Sequence, residues 1–275
     1  MKELVDALEA AENKKKSLQD DFESAEKKLT RANQLISKLK DEEKNWEKSL
    51  KENVEFKKNL VGDIIISSGI IAYLGVFTAD YRESAIKSWV DLMHSFEIQS
   101  TSPFNLAVVL GDGVKIQKWH LDNLPQEQVS VDNAIIMDNS DRWPLMIDPQ
   151  MQGNNWITKM ERDKATGQKL YQSIQPTMPL KKMNQILENC IQMGNPVILE
   201  DSTEVFDPLI EPLLGKQIDK KRGSWQIKLG DKSIEYDKDF RFYVTTKLPK
   251  PHFAPEVCVK VTMLNFMVTE AGLQD

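Results

Sequence analysis

The chain has 275 residues and a formal net charge of −6, enough for one large domain or two small ones and without the basic footprint of a nucleic-acid binder. Its two cysteines, Cys190 and Cys258, stand far apart and outside any CxxC pair, which argues against a disulfide framework or zinc site and for a reducing compartment. The N-terminal MKELVDALEAAENKKK has no apolar core of the signal-peptide kind. The longest apolar stretch, VGDIIISSGIIAYLGVF (61–77), falls short of a membrane span and carries Asp63, so a soluble intracellular protein is expected.

Residues 2–61 contain neither glycine nor proline and are crowded with Lys, Glu and Asp. Their apolar positions are Leu4, Leu8, Ala11, Leu18, Phe22, Ala25, Leu29, Ala32, Ile36 and Leu39, with Lys15 filling the one missing place. Steps that alternate four and three average about 3.5 residues, the seam of a left-handed coiled coil. One long helix is predicted; at about 1.5 Å per residue its length approaches roughly 90 Å. Such a stripe needs a partner. A homodimer and one half of an antiparallel hairpin both satisfy it, and its alanines suit a seam that slides.

After Gly62 the grammar changes, so a domain is expected over 62–275. VGDIIISSGIIAYLGVF and ADYRESAIKSWVDLMHSF read as two helices, and residues 101–141 as loop-rich, with Pro, Gly and Asn punctuation. Then strands and helices alternate. LMID (145–148) is a strand followed by the helix NNWITKMERDK; LYQSIQ (170–175) is a candidate strand before the helix LKKMNQILENCIQMG, stopped at Gly194. PVILED (196–201) is a strand buried on both faces, followed by the helix FDPLIEPLLGK. WQIKLGDKSIEYD (225–237) is a β-hairpin. FRFYVTT (240–246) and TMLNFMV (262–268) are further strands, with PEVCVKV ambiguous between them. Strands separated by helices imply an α/β fold, a parallel sheet with crossover helices.

The strand, loop and helix of RWPLMIDPQMQGNNWITK (142–159) follow the layout of a phosphate-binding loop, GxxxxGK[ST]. Anchored on Gly153, the lysine place holds Asn154 and the Ser/Thr place Asn155, while Asp148 replaces the first glycine. Asp148 sets negative charge where phosphate oxygens would lie, and Pro149 deletes an N–H donor. Glu200 and Asp201 end the next apolar strand where such a site would hold magnesium and polarise water, in reversed order. Thr245 and Thr246 occupy the place of a γ-phosphate sensor. The layout is that of an ATPase with the wrong charges, so no catalytic residue and no bound cofactor is expected.

Other chemistry is sparse. His94, His120 and His252 are scattered with no ligand-spaced partner, so no metal site is expected. Cys190 falls beside Ile186 and Leu187 on a helix and reads as a packed small hydrophobe. The basic cluster at 220–222 is either a solvated loop or a finger reaching a neighbour's phosphate, and Arg222 is its candidate trans-acting residue.

Taken in order, the charged helix, NLVGDIIISSGIIAYLGVFTADYR, RWPLMIDPQ, NPVILED and IKLGDKSIEYDKDFRFYVTTKLPKPHFAPEV resemble dynein heavy chains over nearly the whole length. The resemblance implies a piece of a microtubule motor: residues 1–61 as the returning stalk helix and 62–275 as the large subdomain of the fifth AAA+ module, with an inserted hairpin near 224–237. In that family the first four modules of a six-module ring keep nucleotide sites. ATP and magnesium would then act elsewhere in the parent chain, and this module would transmit force. The family's usual loop carries a glycine at Met151, an alanine at Gly153 and a lysine at Asn155, and this chain departs at each.

The implied partners are the outgoing stalk helix and neighbouring modules, with the microtubule reached only through a stalk tip beyond this chain, and no nucleic acid or membrane. An unpaired seam invites non-native self-association. The small subdomain that should follow is not in this sequence, and the WPLMIDP form points to axonemal dyneins of cilia or flagella. The rival readings are a nucleotide-binding ATPase module and a free-standing coiled-coil scaffold.

Overall fold

A computed structural model describes residues 2–162, 166–221, 223–230 and 232–268. The chain divides into two compact units, Met1–Lys58 and Asn59–Asp275. The described residues of the first are all helical, part of α1 (Lys2–Gly69), as expected of a stretch with no helix breaker. Every described side chain over 13–58 is exposed, including Leu18, Phe22, Leu29, Ile36 and Leu39 of the seam. Leu4, Leu8 and Ala11 lie on α1, with their side chains outside the described set.

The expected helix break at Gly62 does not occur. α1 runs on to Gly69 and widens into one π turn, Ile70–Leu74, so 61–77 is not a separate helix. Gly62 serves close approach instead: a Cβ there would lie 2.3 Å from the Gln99 carbonyl oxygen. α2 spans Ala79–Ser95. The region read as loop-rich holds three helices, α3 (Leu106–Val109), α4 (Gly113–Leu121) and α5 (Gln128–Asn139). The punctuation proves to be capping: Asn105 Oδ1 accepts the Ala107 amide and Asp112 Oδ1 the Val114 amide, each at 2.8 Å.

Five parallel strands, β1 (Trp143–Ile147), β2 (Gln172–Ile174), β3 (Val197–Leu199), β7 (Phe242–Thr246) and β8 (Val261–Asn265), form a sheet in the order β2-β3-β7-β1-β8. Because strand side chains alternate between faces, Leu145, Val197, Leu199, Phe242 and Val244 enter one apolar cluster, and Met146, Ile198 and Tyr243 the other. α7 (Leu180–Met193) covers the first with Met183, Leu187 and Ile191. Its Cys190 is buried there, a packed hydrophobe whose thiol burial pushes up. Gly194 ends α7 in the left-handed region at φ +71°. α5 and α6 (Gln152–Met160) cover the other face with Ile135, Trp156 and Ile157.

The hairpin of β5 (Ser224–Leu229) and β6 (Lys232–Glu235) is present, and β4 (Ile218–Lys221) adds a third antiparallel strand that sequence reading missed. The helix expected over 206–216 shrinks to α8 (Glu211–Leu214), and PEVC (255–258) forms the short helix α9. Pro208 and Pro212 account for the first contraction, since proline is tolerated only in a helix's first turn. Among the described residues no helix is long and apolar enough to cross a membrane.

Candidate functional site

β1, β3 and β7 run parallel, so their C-terminal ends lie on one side of the sheet, where ligands bind in open α/β folds. The expected loop lies there, contracted. Only residues 148–151 separate β1 from α6, with a turn closed by the Met151 amide on the Asp148 carbonyl at 3.2 Å and Met151 itself at φ +61°. Asp148 is 2% exposed. Its carboxylate folds onto the start of α6, accepting the Gln152 amide at 2.7 Å and the Asn154 amide at 2.8 Å. Burial pushes this carboxyl up, while the amides of Asn154, Gln152, Gly153 and Met151 favour its ionised form. An internal anion therefore sits where the amides of a phosphate loop would receive phosphate oxygens.

The other expected residues divide. Asn154 is buried and brings its Nδ2 within 3.5 Å of Thr245 Oγ1, so these two and Asp148 come together. Thr246 Oγ1 donates to the Ser202 carbonyl at 2.7 Å. Gly153 is one residue inside α6, where a Cβ would meet Met146 Sδ at 3.0 Å and the Phe266 ring at 3.2 Å, so it serves packing. Asn155 is exposed, and Pro149 is half-buried. Glu200 is half-buried, its amide donating to the Ile174 carbonyl. Asp201 is exposed and ion-paired with Lys247 at 2.8 Å. Arg222 lies outside the described residues. Among those described, no group of three or more His, Cys, Asp or Glu side chains could hold a metal ion.

Two buried polar networks flank this region, neither found by sequence reading. Arg82, 4% exposed, donates to the carbonyls of Gly75 at 2.7 Å and Phe77 at 3.0 Å and to Asn133 Oδ1 at 2.7 Å. Asn133 donates to the Asn265 carbonyl at 2.7 Å, and the Asn265 amide to Gly75 at 2.8 Å. These residues clamp the segment after the π turn to the end of β8. Burial lowers the Arg82 guanidinium to about 10, opposed by Asp132. An asparagine inside the apolar run of VDNAII was the one available signal, since buried polar groups need partners.

The second network is Glu161, 2% exposed, with Tyr243 Oη donating to it at 2.6 Å and Arg241 pairing with it at 2.9 Å. Tyr243→Phe is expected to cost about 2 kcal/mol in urea unfolding, the usual worth of a hydrogen bond to a charged group. A loss under about 0.5 kcal/mol would show that Arg241 alone satisfies the carboxylate.

Comparison with known proteins agrees with this architecture. Residues 1–93 match the family model of the microtubule-binding stalk of dynein motor, and residues 117–275 that of the ATP-binding dynein motor region. Dynein axonemal heavy chains 6 and 3 of Homo sapiens are each 42% identical over 99% of this chain and 6% of their own length. The Dynein-1-beta heavy chain of the flagellar inner arm I1 complex of Chlamydomonas reinhardtii is 36% identical over 90% of this chain and 5% of its own. The chain thus spans about a twentieth of the relatives it matches. With a stalk match at its start and a motor-region match over its sheet, it belongs to the dynein heavy-chain family.

Proposed function

We propose that residues 1–61 are the returning helix of a dynein stalk and residues 62–275 the large subdomain of the fifth AAA+ module, acting as a structural and force-transmitting element of a microtubule motor. The observation that carries this reading is the Asp148 carboxylate on the amides that open α6. A bound phosphate would have to displace it and then lie against it with no lysine to neutralise either charge. The matched family's description names ATP binding; in this chain the charges of the loop oppose it.

In the parent protein, ATP and magnesium act at other modules, and the stalk tip contacts the microtubule. The exposed seam from Leu18 to Leu39 supports the outgoing stalk helix as partner of α1. Neighbouring modules flank the sheet domain, with Arg222 the basic residue offered to an adjacent nucleotide. The axonemal and flagellar names of the relatives support a place in the axoneme of a cilium or flagellum.

Isothermal titration of the 275-residue chain with Mg-ATP tests the central point. No saturable heat is expected up to about 1 mM nucleotide. Micromolar binding would overturn the reading in favour of a working nucleotide module.

A further inference from the structure

The steps of four and three that run from Leu4 to Leu39 continue through Glu43 to Trp46 and Leu50. Two places of this seam hold charges, Lys15 and Glu43, of opposite sign and four heptads apart. At about 1.5 Å per residue they are separated by roughly 42 Å along α1. Both are exposed, as are Leu18, Leu39 and Trp46 beside them.

Their own helix does not neutralise them. Lys15 lies within the run Lys14-Lys15-Lys16, and Glu43 ends the run Asp41-Glu42-Glu43. The ion pairs among the described residues of α1 are Lys48–Glu52 and Lys58–Glu55, so Glu43 is not paired with Lys40, one turn before it. The side chain of Glu12, one turn before Lys15, lies outside the described set. A charge in a seam lowers stability and specifies register, because few alignments give it a partner.

A second copy of α1 does not supply the partners. In parallel, Lys15 meets Lys15 and Glu43 meets Glu43. In antiparallel, the alignment that joins Lys15 to Glu43 centres on Leu29. It brings Lys27, Lys28 and Arg31 against their own copies, with Glu26 the one acid among them. A different helix is required.

On the stalk reading above, we propose that Lys15 and Glu43 are register pegs: the outgoing helix, antiparallel to α1, carries an acid opposite Lys15 and a base opposite Glu43. Both pegs belong to one continuous helix. A slide by one heptad, about 10 Å, therefore unseats both at once and leaves each facing an apolar layer. The tight register is gained or lost as a whole, as a two-state switch needs.

The test titrates the isotope-labelled 275-residue chain with synthetic helices of about 40 residues, used below the concentration at which they self-associate. Each has a Leu and Ala seam, and the matched helix carries Lys in an early seam place and Glu four heptads later. Saturable amide shifts over 11–50 are expected. A spin label at the N-terminus of the matched helix should broaden residues near Trp46 and spare those near Leu18. A helix with its two charges three heptads apart can seat one at a time and should bind at least about tenfold more weakly. Lys15→Glu, at an exposed position, should weaken the matched helix by a similar factor at unchanged circular dichroism. A helix with Lys in both places should recover that loss. No saturable binding of the matched helix, equal binding of the two spacings, broadening near Leu18, an unchanged affinity of Lys15→Glu or no recovery would each overturn the pegs and leave the stalk reading standing. A chain that sediments as a tight dimer before any helix is added would overturn the outgoing helix as occupant, and a parallel dimer would sink the stalk reading with it.

Discussion

Gly75→Ala is expected to cost the fold about 4 kcal/mol, read as a lowered urea midpoint at unchanged slope. The reason is space, because Gly75 has an ordinary right-handed conformation with φ −57°. An added Cβ would lie 2.4 Å from the Met263 carbonyl oxygen of β8, a distance that backbone cannot tolerate. Relief requires the segment to lift away from β8. That movement breaks the Asn265 bond to Gly75 and strips the buried Arg82 of its shortest carbonyl partner. A deeply buried cation left short of acceptors accounts for most of the cost. Gly113→Ala is the control: nothing lies within 4 Å of its would-be Cβ, and it should be neutral or stabilising by up to about 0.5 kcal/mol. A loss under about 1 kcal/mol for Gly75→Ala would mean that the clamp does not hold this segment.

Asp148→Ala is expected to cost about 3 kcal/mol, since it leaves buried amides at the start of α6 without an acceptor. Asp148→Asn should fall between: its amide oxygen keeps one of the two N–H groups, while its NH₂ faces the other. The pH dependence has a definite sign. Burial raises the folded-state pKa of Asp148 above its unfolded value, so its contribution is fully present below the ordinary carboxylate pKa near 4 and is lost as pH rises through the raised value. Asp132 and Glu161 shift the same way, each by burial first. The deficit of Asp148→Asn against the parent should therefore be larger near pH 4 than near pH 7, as read from urea midpoints. The opposite slope would mean that the α6 amides outweigh burial.

Periodicity carried much of the fold. The step of four and three announced α1, the continuous apolar run of PVILED marked a strand buried on both faces, and Gly194 marked the end of α7. Local punctuation was less faithful, because the same residues serve turns and helix starts. Asn105 and Asp112 fall in a stretch whose punctuation predicts loop, and they are caps. Gly62 marks a boundary by composition, and it is a close contact inside a helix.

At the candidate site, the order strand, loop, helix and the wrong charges were legible. The direction of the Asp148 side chain was not, since a carboxylate aimed at solvent and one aimed at its own helix have the same sequence. The Arg82 network was further out of reach. It joins partners 51 and 132 residues apart, and no single segment reveals such a meeting.

The closed loop also constrains the order in which substitutions can accumulate. Asp148→Gly made first removes the acceptor that organises α6. Asn154→Lys made first puts an ammonium at a position only 5% exposed, close to Thr245 and without a phosphate to neutralise it. Each single step toward a phosphate cradle lowers stability, and only their combination offers a gain. A chain near its stability threshold is held back from the first of these steps. The carboxylate thus works as a mutational ratchet, opposing each single step toward a lysine-bearing phosphate cradle.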